Sequence, residues 1–508
     1  MAISINPNPR VPSLEKVHDK TKIDVRYMVI APFASIHIYW DKKVGELAYE
    51  VEEPLLSKIE LEHLESIKQS MREILNINLF DENNKDGLVN YIEKTARVVL
   101  NQLNISLKED QFEKIFYYLY RDFIGLNEID PIMKDYFIED IECNGIGESI
   151  YIVHRIFRNL KTNVRFNSIG SLANFVEKLA QKTGRYISYA SPILDGSLPD
   201  GSRVNATYTK DITTKGPTFT IRKFTRIPWT PIQLIEFKTV SPEILAYFWL
   251  LLEHKANLMI CGGTASGKTT LLNALAFFIP PENRVVSIED TRELNLPREN
   301  WLPSVVRTGI SNQDVGNVDM FSLLKGSFRQ NPDYVIVGEV RGKEASVLFQ
   351  GMASGHASIS TLHADSVETL IQRLQTPPIS LSPMLVNSLD AVAIMTHTII
   401  DGYETRRLRD ITEIQKVNPD GSSSVNTPIR WNPSDDKFYF SENMVVFDKI
   451  SQKTGISLAK LKEEFKNRTR LLYNLYLKGI KNYEDVQRII NQYYKNPQKV
   501  LAEYGVVN

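Results

Sequence analysis

The sequence predicts an α/β fold, with a parallel sheet covered by helices in the second half of a 508-residue chain. From Ser241 onward, predicted strands and helices alternate, which is typical of parallel strands joined by crossover helices. A glycine-rich segment follows the apolar run Leu258–Cys261 and precedes a helical pattern over Thr269–Phe278. The length predicts two or three domains, because one hydrophobic core seldom extends beyond about 250–300 residues.

The first half of the chain predicts a different organisation. Apolar residues recur at helical spacing in Leu55–Leu75, and two further helical stretches follow before any strand is expected. Strand-like runs begin at Ile138, and Pro228 and Pro231 then suggest a connection between domains. The predicted division is a flexible arm (1–30), a helical bundle (31–125), a smaller α+β domain (126–223), a linker or hinge (224–234), the α/β domain (235–448) and a basic helical segment (449–508).

Composition excludes several classes of protein. The 60 basic and 61 acidic residues give a net charge of −1, so no global attraction to nucleic acid or anionic membrane is expected. Cys143 and Cys261 cannot form a four-cysteine zinc site and are expected to be reduced thiols. No apolar run approaches the roughly 20 residues that span a bilayer. We therefore expect a cytoplasmic protein, held at a membrane only through a partner or its surface.

The glycine-rich segment matches the phosphate-binding P-loop, Gly262-x-x-x-x-Gly267-Lys268-Thr269. Glycines allow positive φ, so that successive N–H groups converge on phosphates at the positive end of the following helix. Lys268 is expected to reach the β- and γ-phosphates, and the Thr269 hydroxyl to bind Mg²⁺. The predicted ligands are ATP and Mg²⁺, and the predicted nucleotide-binding residues are Gly262, Gly263, Thr264, Ala265, Ser266, Gly267, Lys268, Thr269 and Thr270.

Carboxylates follow two further predicted strands. Tyr334–Val337 leads through a glycine to Glu339, and Arg284–Ile288 leads to Glu289 and Asp290. The carboxyl ends of parallel strands form the ligand-binding edge of an open sheet. One acid is expected to polarise the attacking water and another to order the Mg²⁺ shell.

Two histidines, His356 and His363, lie seven residues apart around an apolar run. They lack further ligands nearby, which disfavours a metal pair. Roles as sensors of the γ-phosphate or as hinge residues suit them better.

Four segments together resemble the Walker A, Asp box, Walker B and His box of the secretion and type IV pilus ATPase superfamily. The segments occur in this order as Gly263–Thr270, Ser287–Glu293, Asn331–Arg341 and Gly355–Asp365. The stretches Asp195–Val204 and Phe219–Phe224 resemble the region that precedes the motor domain in these ATPases.

The resemblance implies a RecA-like P-loop motor domain, a hexameric ring and ATP at the junction of the two domains. It further implies that Glu289 assists the attacking water, that Glu339 orders Mg²⁺, and that both histidines respond to the γ-phosphate. Arg203 and Arg222 would approach the phosphates from the preceding domain. The implied partner is a membrane platform protein, through which ATP-driven closing and opening of the domains would assemble a pilus-like filament.

Departures from the bacterial pattern indicate which branch of the superfamily this sequence resembles. Two cysteines cannot supply the tetracysteine zinc subdomain of the bacterial type II members. Gly338–Gly342 and His363–Ser366 look like the archaeal branch, which includes the archaellum motor ATPase and archaeal pilus-assembly ATPases. The sequence does not separate these two.

Two other functions stay open as alternatives. A ring translocase of nucleic acid would share the RecA-like core, but the motor domain has no basic stretch interleaved with aromatics. A nucleotide-gated scaffold would bind ATP with little turnover. The basic segment 449–508, with 12 Lys and Arg against 5 Asp and Glu, indicates a solvated helical face or a contact with acidic groups.

Overall fold

A computed structural model describes residues 5, 6, 14, 19–74, 85–224, 227–307, 316–400, 402–418 and 422–506. The chain divides into two compact units, Met1–Phe224 and Thr225–Asn508. Much of the predicted arm, and residues 225–226 of the predicted hinge, lie outside the described residues. Among the described residues, no helix combines the length and apolarity that crossing a membrane requires.

The first unit is built on a sheet that has nine strands within the described residues. Its spatial order is β1-β2-β3-β6-β5-β4-β9-β8-β7, and the only parallel pair in that described set is β3 with β6. The strands are β1 (Asp24–Ile30), β2 (Ala34–Asp41), β3 (Glu46–Glu52), β4 (Ile138–Cys143), β5 (Ser149–His154), β6 (Arg158–Arg165), β7 (Ile193–Ser197), β8 (Arg203–Thr207) and β9 (Thr218–Arg222). The helices are α1 (Lys58–Ile74), α2 (Lys85–Gln102), α3 (Glu109–Phe123), α4 (Asp130–Lys134) and α5 (Ile169–Lys182).

Three strands precede the helices. The predicted arm (1–30) is wrong at its end, where β1 lies, and the predicted helical bundle (31–125) is wrong in its first part, where β2 and β3 lie. In β2, Ala34, Ile36 and Ile38 are buried while the residues between them are not, which is the period-two pattern of a half-buried strand. Helices α1 to α3 are present, but they are inserted between β3 and β4 of one sheet. The predicted bundle and the α+β region 126–223 therefore belong to one unit.

A buried ionic cluster joins the helices to this sheet. Arg121 on α3 donates to Glu53, just after β3, at 2.9 Å, and to Asp122 at 2.8 Å. Lys68 on α1 lies 2.6 Å from Asp122. Because each buried charge has an opposite partner, the cluster avoids the large cost of an unpaired ion.

The second unit contains a sheet with nine strands among its described residues, in the order β12-β11-β13-β14-β10-β15-β16-β17-β18. The pairs from β12 to β15 are parallel, and β16 to β18 add an antiparallel extension. The strands are β10 (Leu258–Gly262), β11 (Val285–Glu289), β12 (Trp301–Val305), β13 (Tyr334–Val337), β14 (Ala357–Leu362), β15 (Ala391–Ile400), β16 (Tyr403–Val417), β17 (Ser423–Asn432) and β18 (Lys437–Phe440). The helices are α6 (Pro231–Glu236), α7 (Pro242–Glu253), α8 (Lys268–Leu275), α9 (Met320–Ser327), α10 (Glu344–Ala353), α11 (Val367–Gln375), α12 (Pro383–Val386), α13 (Val445–Thr454), α14 (Leu458–Leu477), α15 (Tyr483–Lys495) and α16 (Pro497–Glu503).

Both predicted ends of the α/β domain need correction. The linker prediction 224–234 overlaps α6, whose Ile232 and Leu234 are buried in the core of the second unit. The basic segment 449–508 is not a separate solvated element, because α14 to α16 contribute leucines, isoleucines and Tyr493 to that same core. These helices are amphipathic, so most of their charges lie outward while an apolar stripe packs inward.

Helix α14 is tied to α7 by one buried cation. Arg468 contacts Glu253 at the end of α7, and its guanidinium lies 5.0 Å from the ring centre of Trp249 and 5.3 Å from that of Tyr493. The Arg468 side chain is only 4% exposed. The pair therefore joins the carboxy-terminal helices to the sheet-covering helix.

We expect Arg468→Met to destabilise the chain strongly. Removing one partner of a buried ion pair leaves the other uncompensated, which costs about 3–5 kcal/mol. Chemical denaturation followed by circular dichroism measures the change. Arg488→Gln is the matched control, because Arg488 pairs with Asp485 on the solvent side of α15 and its loss should leave the midpoint unchanged. Equal midpoints for wild type and Arg468→Met would contradict the proposed role of this cation.

Candidate active site

The loop between β10 and α8 has the conformation that the glycine spacing predicts. Positive φ occurs at Gly262 (146°), Ala265 (56°) and Gly267 (95°). A Cβ on Gly262 would lie 2.4 Å from the carbonyl oxygen of Met395, so no larger residue fits there. Gly267 is the left-handed residue from which α8 begins. Positive φ in a glycine-rich loop before a helix is the conformation with which phosphate loops present N–H groups to an anion.

Lys268 folds back into this loop. Its Nζ donates to the carbonyl oxygens of Gly263 at 2.9 Å and Gly262 at 3.1 Å. Burial lowers the pKa of Lys268, and the nearby Glu339 carboxylate opposes that shift. The ammonium is therefore held inside the loop, beside the acidic side chains of the neighbouring strands.

Glu339 and His363 lie next to Lys268 at the carboxyl edge of the sheet. Glu339 follows β13 and His363 follows β14, and both strands run parallel to β10. His363 Nε2 lies 2.9 Å from Glu339 Oε1, and His363 Nδ1 lies 3.4 Å from Lys268 Nζ. The imidazole therefore bridges the loop lysine and the carboxylate.

The two contacts of His363 define its tautomer. Lys268 is only a donor, so Nδ1 accepts from it, which assigns the proton of a neutral ring to Nε2. Burial, together with the positive charge of Lys268, lowers the pKa of His363. Both effects favour the neutral imidazole, which lies between an ammonium and a carboxylate, and the Glu339 carboxylate opposes them.

Arg341 holds the other oxygen of Glu339. Its Nη2 donates to Glu339 Oε2 at 2.5 Å, and its Nη1 lies 3.9 Å from Asp290 Oδ2. The turn that carries Arg341 is fixed by Glu344 Oε1, which accepts from the N–H groups of Arg341 and Gly342 at 2.6 and 2.7 Å. A cavity of about 270 Å³ opens beside this cluster and is lined by both Glu339 and Asp290.

Glu289 ends β11 and is buried, with only 1% of its surface exposed. Its Oε1 accepts from the backbone N–H groups of Glu293 and Leu294, both at 2.9 Å. Its Oε2 has no hydrogen-bond partner among the described residues. Burial raises the pKa of Glu289 to about 7, while the two amide donors act in the opposite direction. The carboxyl therefore titrates in the range where a general base works at neutral pH.

The remaining residues of the predicted nucleotide set lie on the same loop and helix start. Gly263, Thr264, Ser266 and Thr270 flank Lys268, and Ser266 Oγ donates to the Gly263 carbonyl at 2.8 Å. In the described ranges, no three or more His, Cys, Asp and Glu side chains form a metal cage. Mg²⁺ does not require one, because it is usually held by one or two protein oxygens together with substrate phosphates. The Thr269 hydroxyl and the Glu339 carboxylate provide that donor chemistry.

His356 lies at the amino-terminal end of β14, away from the carboxyl ends of the strands where the phosphate loop begins. It directly precedes β14, whereas His363 directly follows it, and the six residues of the strand cover about 17 Å. The His356 ring packs on Phe328 at 4.9 Å between ring centres. The structure therefore does not bring His356 to the phosphate loop of this unit, whereas His363 lies beside Lys268 there.

Arg203 and Arg222 lie directly opposite each other on the adjacent antiparallel strands β8 and β9 of the first unit. Arg203 Nη2 lies 3.0 Å from Asp195 Oδ2, and Arg222 Nε lies 3.2 Å from Asp140 Oδ1. Their side chains are 40% and 66% exposed. In this unit the two guanidinium groups form one exposed basic pair, each associated with an aspartate.

Two side chains near the loop were missed by sequence reasoning. Asp365 is the last residue of the His box, to which no role was assigned, and its Oδ1 lies 3.7 Å from the position of a Cβ on Gly263. Arg406 on β16 donates from Nε to the Ala265 carbonyl at 2.9 Å. Asp365 could have been found as an acid beyond a strand end. Nothing in the sequence marks Arg406, since its contact spans 141 residues.

The strand order and the loop between β10 and α8 define the second unit as a RecA-like P-loop domain. Residues 133–428 match the Type II/IV secretion system protein family, and the chain belongs to that family. An uncharacterized protein of Methanocaldococcus jannaschii is 37% identical over 414 residues, which cover 80% of this chain and 74% of that protein.

Two more distant similarities were found. The type IV secretion system protein PtlH of Bordetella pertussis is 31% identical over 269 residues, covering 46% of this chain and 79% of PtlH. The structure of the Legionella pneumophila ATPase DotB is 18% identical and covers 71% of this chain and 93% of DotB, with a TM-score of 0.39.

The raised pKa of Glu289 predicts a pH dependence of stability. A carboxyl whose pKa is higher in the folded chain than in the unfolded chain makes folding less favourable as pH rises through that interval. Above pH 4.5 wild type should therefore lose stability relative to Glu289→Gln, by about 1.4 kcal/mol per pH unit at most, until pH 7. Urea unfolding at pH 5, 6, 7 and 8 measures the difference.

Glu299→Gln is the control for this series, because Glu299 is already exposed to water in the folded chain. Its stability relative to wild type should not change with pH. A pH-independent difference between Glu289→Gln and wild type would show that Glu289 is ionised in the folded protein well below neutrality.

Proposed function

We propose that this protein is an ATPase motor of a secretion or pilus-type machine, which couples hydrolysis of ATP to movement of its two units. The observation that carries the proposal is the contact series from Lys268 through His363 to Glu339, at the open end of the phosphate loop. It brings the P-loop lysine together with an acid that follows β13, two strands from β10, and hydrolysis of a phosphoanhydride uses both types of group. Membership of the Type II/IV secretion system protein family supports the coupling to a secretion or pilus machine.

The chain's own residues would carry most of the chemistry. Lys268 would exchange the carbonyls of Gly262 and Gly263 for phosphate oxygens and stabilise the charge that develops there. His363 would sense that exchange, because movement of the ammonium removes the donor to its Nδ1. Arg341 would keep Glu339 oriented while the imidazole shifts. Mg²⁺ held by the Thr269 hydroxyl and Glu339 would neutralise phosphate charge when bound.

Glu289 is the proposed acceptor of the proton from the attacking water. Its Oε1 is committed to two backbone amides, which leaves Oε2 for that water. A pKa of about 7 balances availability of the base against its proton affinity. Because the carboxyl is buried, the turn over Glu293 and Leu294 would have to open for water to reach it.

Arg203 and Arg222 are proposed to complete the site from an amino-terminal unit of the ring. Guanidinium groups suit this role, because they donate two parallel hydrogen bonds to phosphate oxygens. Phosphate would replace Asp195 and Asp140 as their partners. Such a site would be complete only in an assembly, which we propose to be a hexameric ring acting on a membrane platform protein from the cytoplasmic side. The filament would be an archaellum or an archaeal pilus.

The first test is ATP hydrolysis against protein concentration for wild type and Lys268→Ala. We expect the specific activity of wild type to rise with protein concentration, because oligomerisation completes the site. The specific activity of Lys268→Ala should be lower by about 100-fold or more. Lys325→Ala on α9 is the control for loss of a lysine, since that side chain lies on the exposed surface of the same unit. Glu339→Gln should also abolish turnover while nucleotide binding persists.

A wild type that binds ATP but does not hydrolyse it at any concentration would reject the motor. The protein would then be a nucleotide-gated scaffold. Hydrolysis that is stimulated only by single-stranded nucleic acid would instead support a translocase.

The second test asks whether the arginines act between subunits. Arg203→Ala and Lys268→Ala should each be inactive alone, because an arginine finger contributes about 10³-fold or more to turnover. Mixing the two proteins should restore part of the activity, since mixed rings contain sites with one intact lysine and one intact neighbouring arginine. Arg165→Ala is the arginine control. A mixture as inactive as its components would place lysine and arginine in the same subunit's site, or exclude Arg203 from catalysis.

A further inference from the structure

The phosphate loop is bounded by different chemistry on its two sides. On the β14 side lie His363 and, one strand further, Glu339. On the other side β15 runs beside β10, with Gly262 opposite Met395, and β16 pairs with β15 in antiparallel fashion. The loop therefore lies between two regions of the sheet. One contains His363 and Glu339, and the other contains the antiparallel strand pair β15 and β16.

Arg406 is the cation on the antiparallel side. Its Nε donates to the Ala265 carbonyl at 2.9 Å, and its Cδ lies 3.3 Å from the position of a Cβ on Gly267. The next residue, Arg407, is buried, and its Nε and Nη2 donate to the two carboxylate oxygens of Asp436 at 2.8 and 3.0 Å. Arg407 therefore has a structural role in the core. Side chains alternate along a strand, which explains why only the first of these two arginines reaches the loop.

The positions of the two regions give the bound polyphosphate a direction. Hydrolysis takes place at the γ-phosphate, which must lie near the Lys268, His363 and Glu339 cluster. In the proposed function, the rest of the polyphosphate would extend toward the side of the loop where β15 and β16 lie. The phosphate farthest from the reacting end, the α-phosphate, would then lie nearest the Ala265–Gly267 part of the loop.

We propose that Arg406 is a positioning residue that binds the α-phosphate of the nucleotide and holds the loop in shape through Ala265. A guanidinium carries five N–H donors, so it can bond a carbonyl and a phosphate oxygen together. Arg406 touches neither the reacting phosphorus nor the water, and it contributes to binding rather than to the chemical step. This inference rests on the proposed function, because it requires the loop to bind a nucleotide.

The test uses fluorescence titration of the full chain with the N-methylanthraniloyl derivatives of ATP and ADP. Arg406→Gln should weaken both nucleotides by the same factor, roughly 10- to 100-fold, because both carry the α-phosphate and a charged hydrogen bond is lost. KM for ATP should rise by a similar factor while kcat at saturation stays near that of wild type. A reduced affinity for ATP with unchanged affinity for ADP would overturn the proposal, because it would place Arg406 at the γ-phosphate.

Arg409→Gln is the matched control, because Arg409 lies on the same strand and its Nε pairs with Asp410 at 2.7 Å. This variant should bind both nucleotides as wild type does. Wild-type affinity in Arg406→Gln would overturn the inference while leaving the motor intact. Failure of wild type itself to bind either nucleotide would instead reject the proposed function.

Arg406→Lys separates charge from loop geometry if Arg406→Gln lowers the melting temperature of the nucleotide-free protein. A lysine keeps the positive charge but not the planar fork that serves carbonyl and phosphate together. Affinity clearly above that of Arg406→Gln for both nucleotides supports contact with phosphate. Equal nucleotide affinity in Arg406→Lys and Arg406→Gln overturns the proposed phosphate contact. Arg406 would then affect binding only through the shape of the loop.

Discussion

The parallel pairing of β10 with β14 is the constraint on which the site depends. Leu258 lies opposite Ile359 and Cys261 opposite Leu362, so both strands end at the same level of the sheet. That register sets the start of the phosphate loop beside His363. Pairing of β14 with β13 then brings Glu339 to the same edge. A shift of one residue would turn every side chain of β14 to the opposite face of the sheet.

The helix that follows the loop is fixed from behind by aromatic packing and by one arginine. Trp249 of α7 stacks on Phe278 at 5.0 Å between ring centres, and its Nε1 donates to Tyr494 of α15 at 2.9 Å. Arg298 donates to the carbonyl of Ile279 at 2.7 Å and to others beyond the end of α8. Hydrogen bonds between buried polar groups make a core rigid. The carboxy-terminal helices therefore support the amino-terminal start of α8 from a distance.

Features that depend on a few consecutive residues could be predicted from the sequence. Features that depend on the pairing of strands distant in the chain could not. The P-loop, Glu339 and the buried strands around them are encoded within a few residues, and the structure contains those elements. The resemblance assigned both histidines to the γ-phosphate, but only His363 lies at the phosphate loop of this unit, because the extended strand β14 separates the two residues. Strands β1 to β3 were missed because helical spacing in the following segment outweighed a short alternation. Arg406 was beyond reach, since β15 and β16 bring it to the loop from 141 residues away.

The resting loop already contains a substitute for its ligand. Two carbonyl oxygens, those of Gly262 and Gly263, solvate the Lys268 ammonium with the partial negative charge that phosphate would otherwise supply. If the loop binds a nucleotide, as proposed, phosphate oxygens would replace these carbonyls with little change in the hydration of the lysine. The released carbonyls would then need new donors or water, so the loop backbone would have to change. Nucleotide binding would thereby alter the backbone, and the change would pass to β10 and α8 before any bond in the nucleotide breaks.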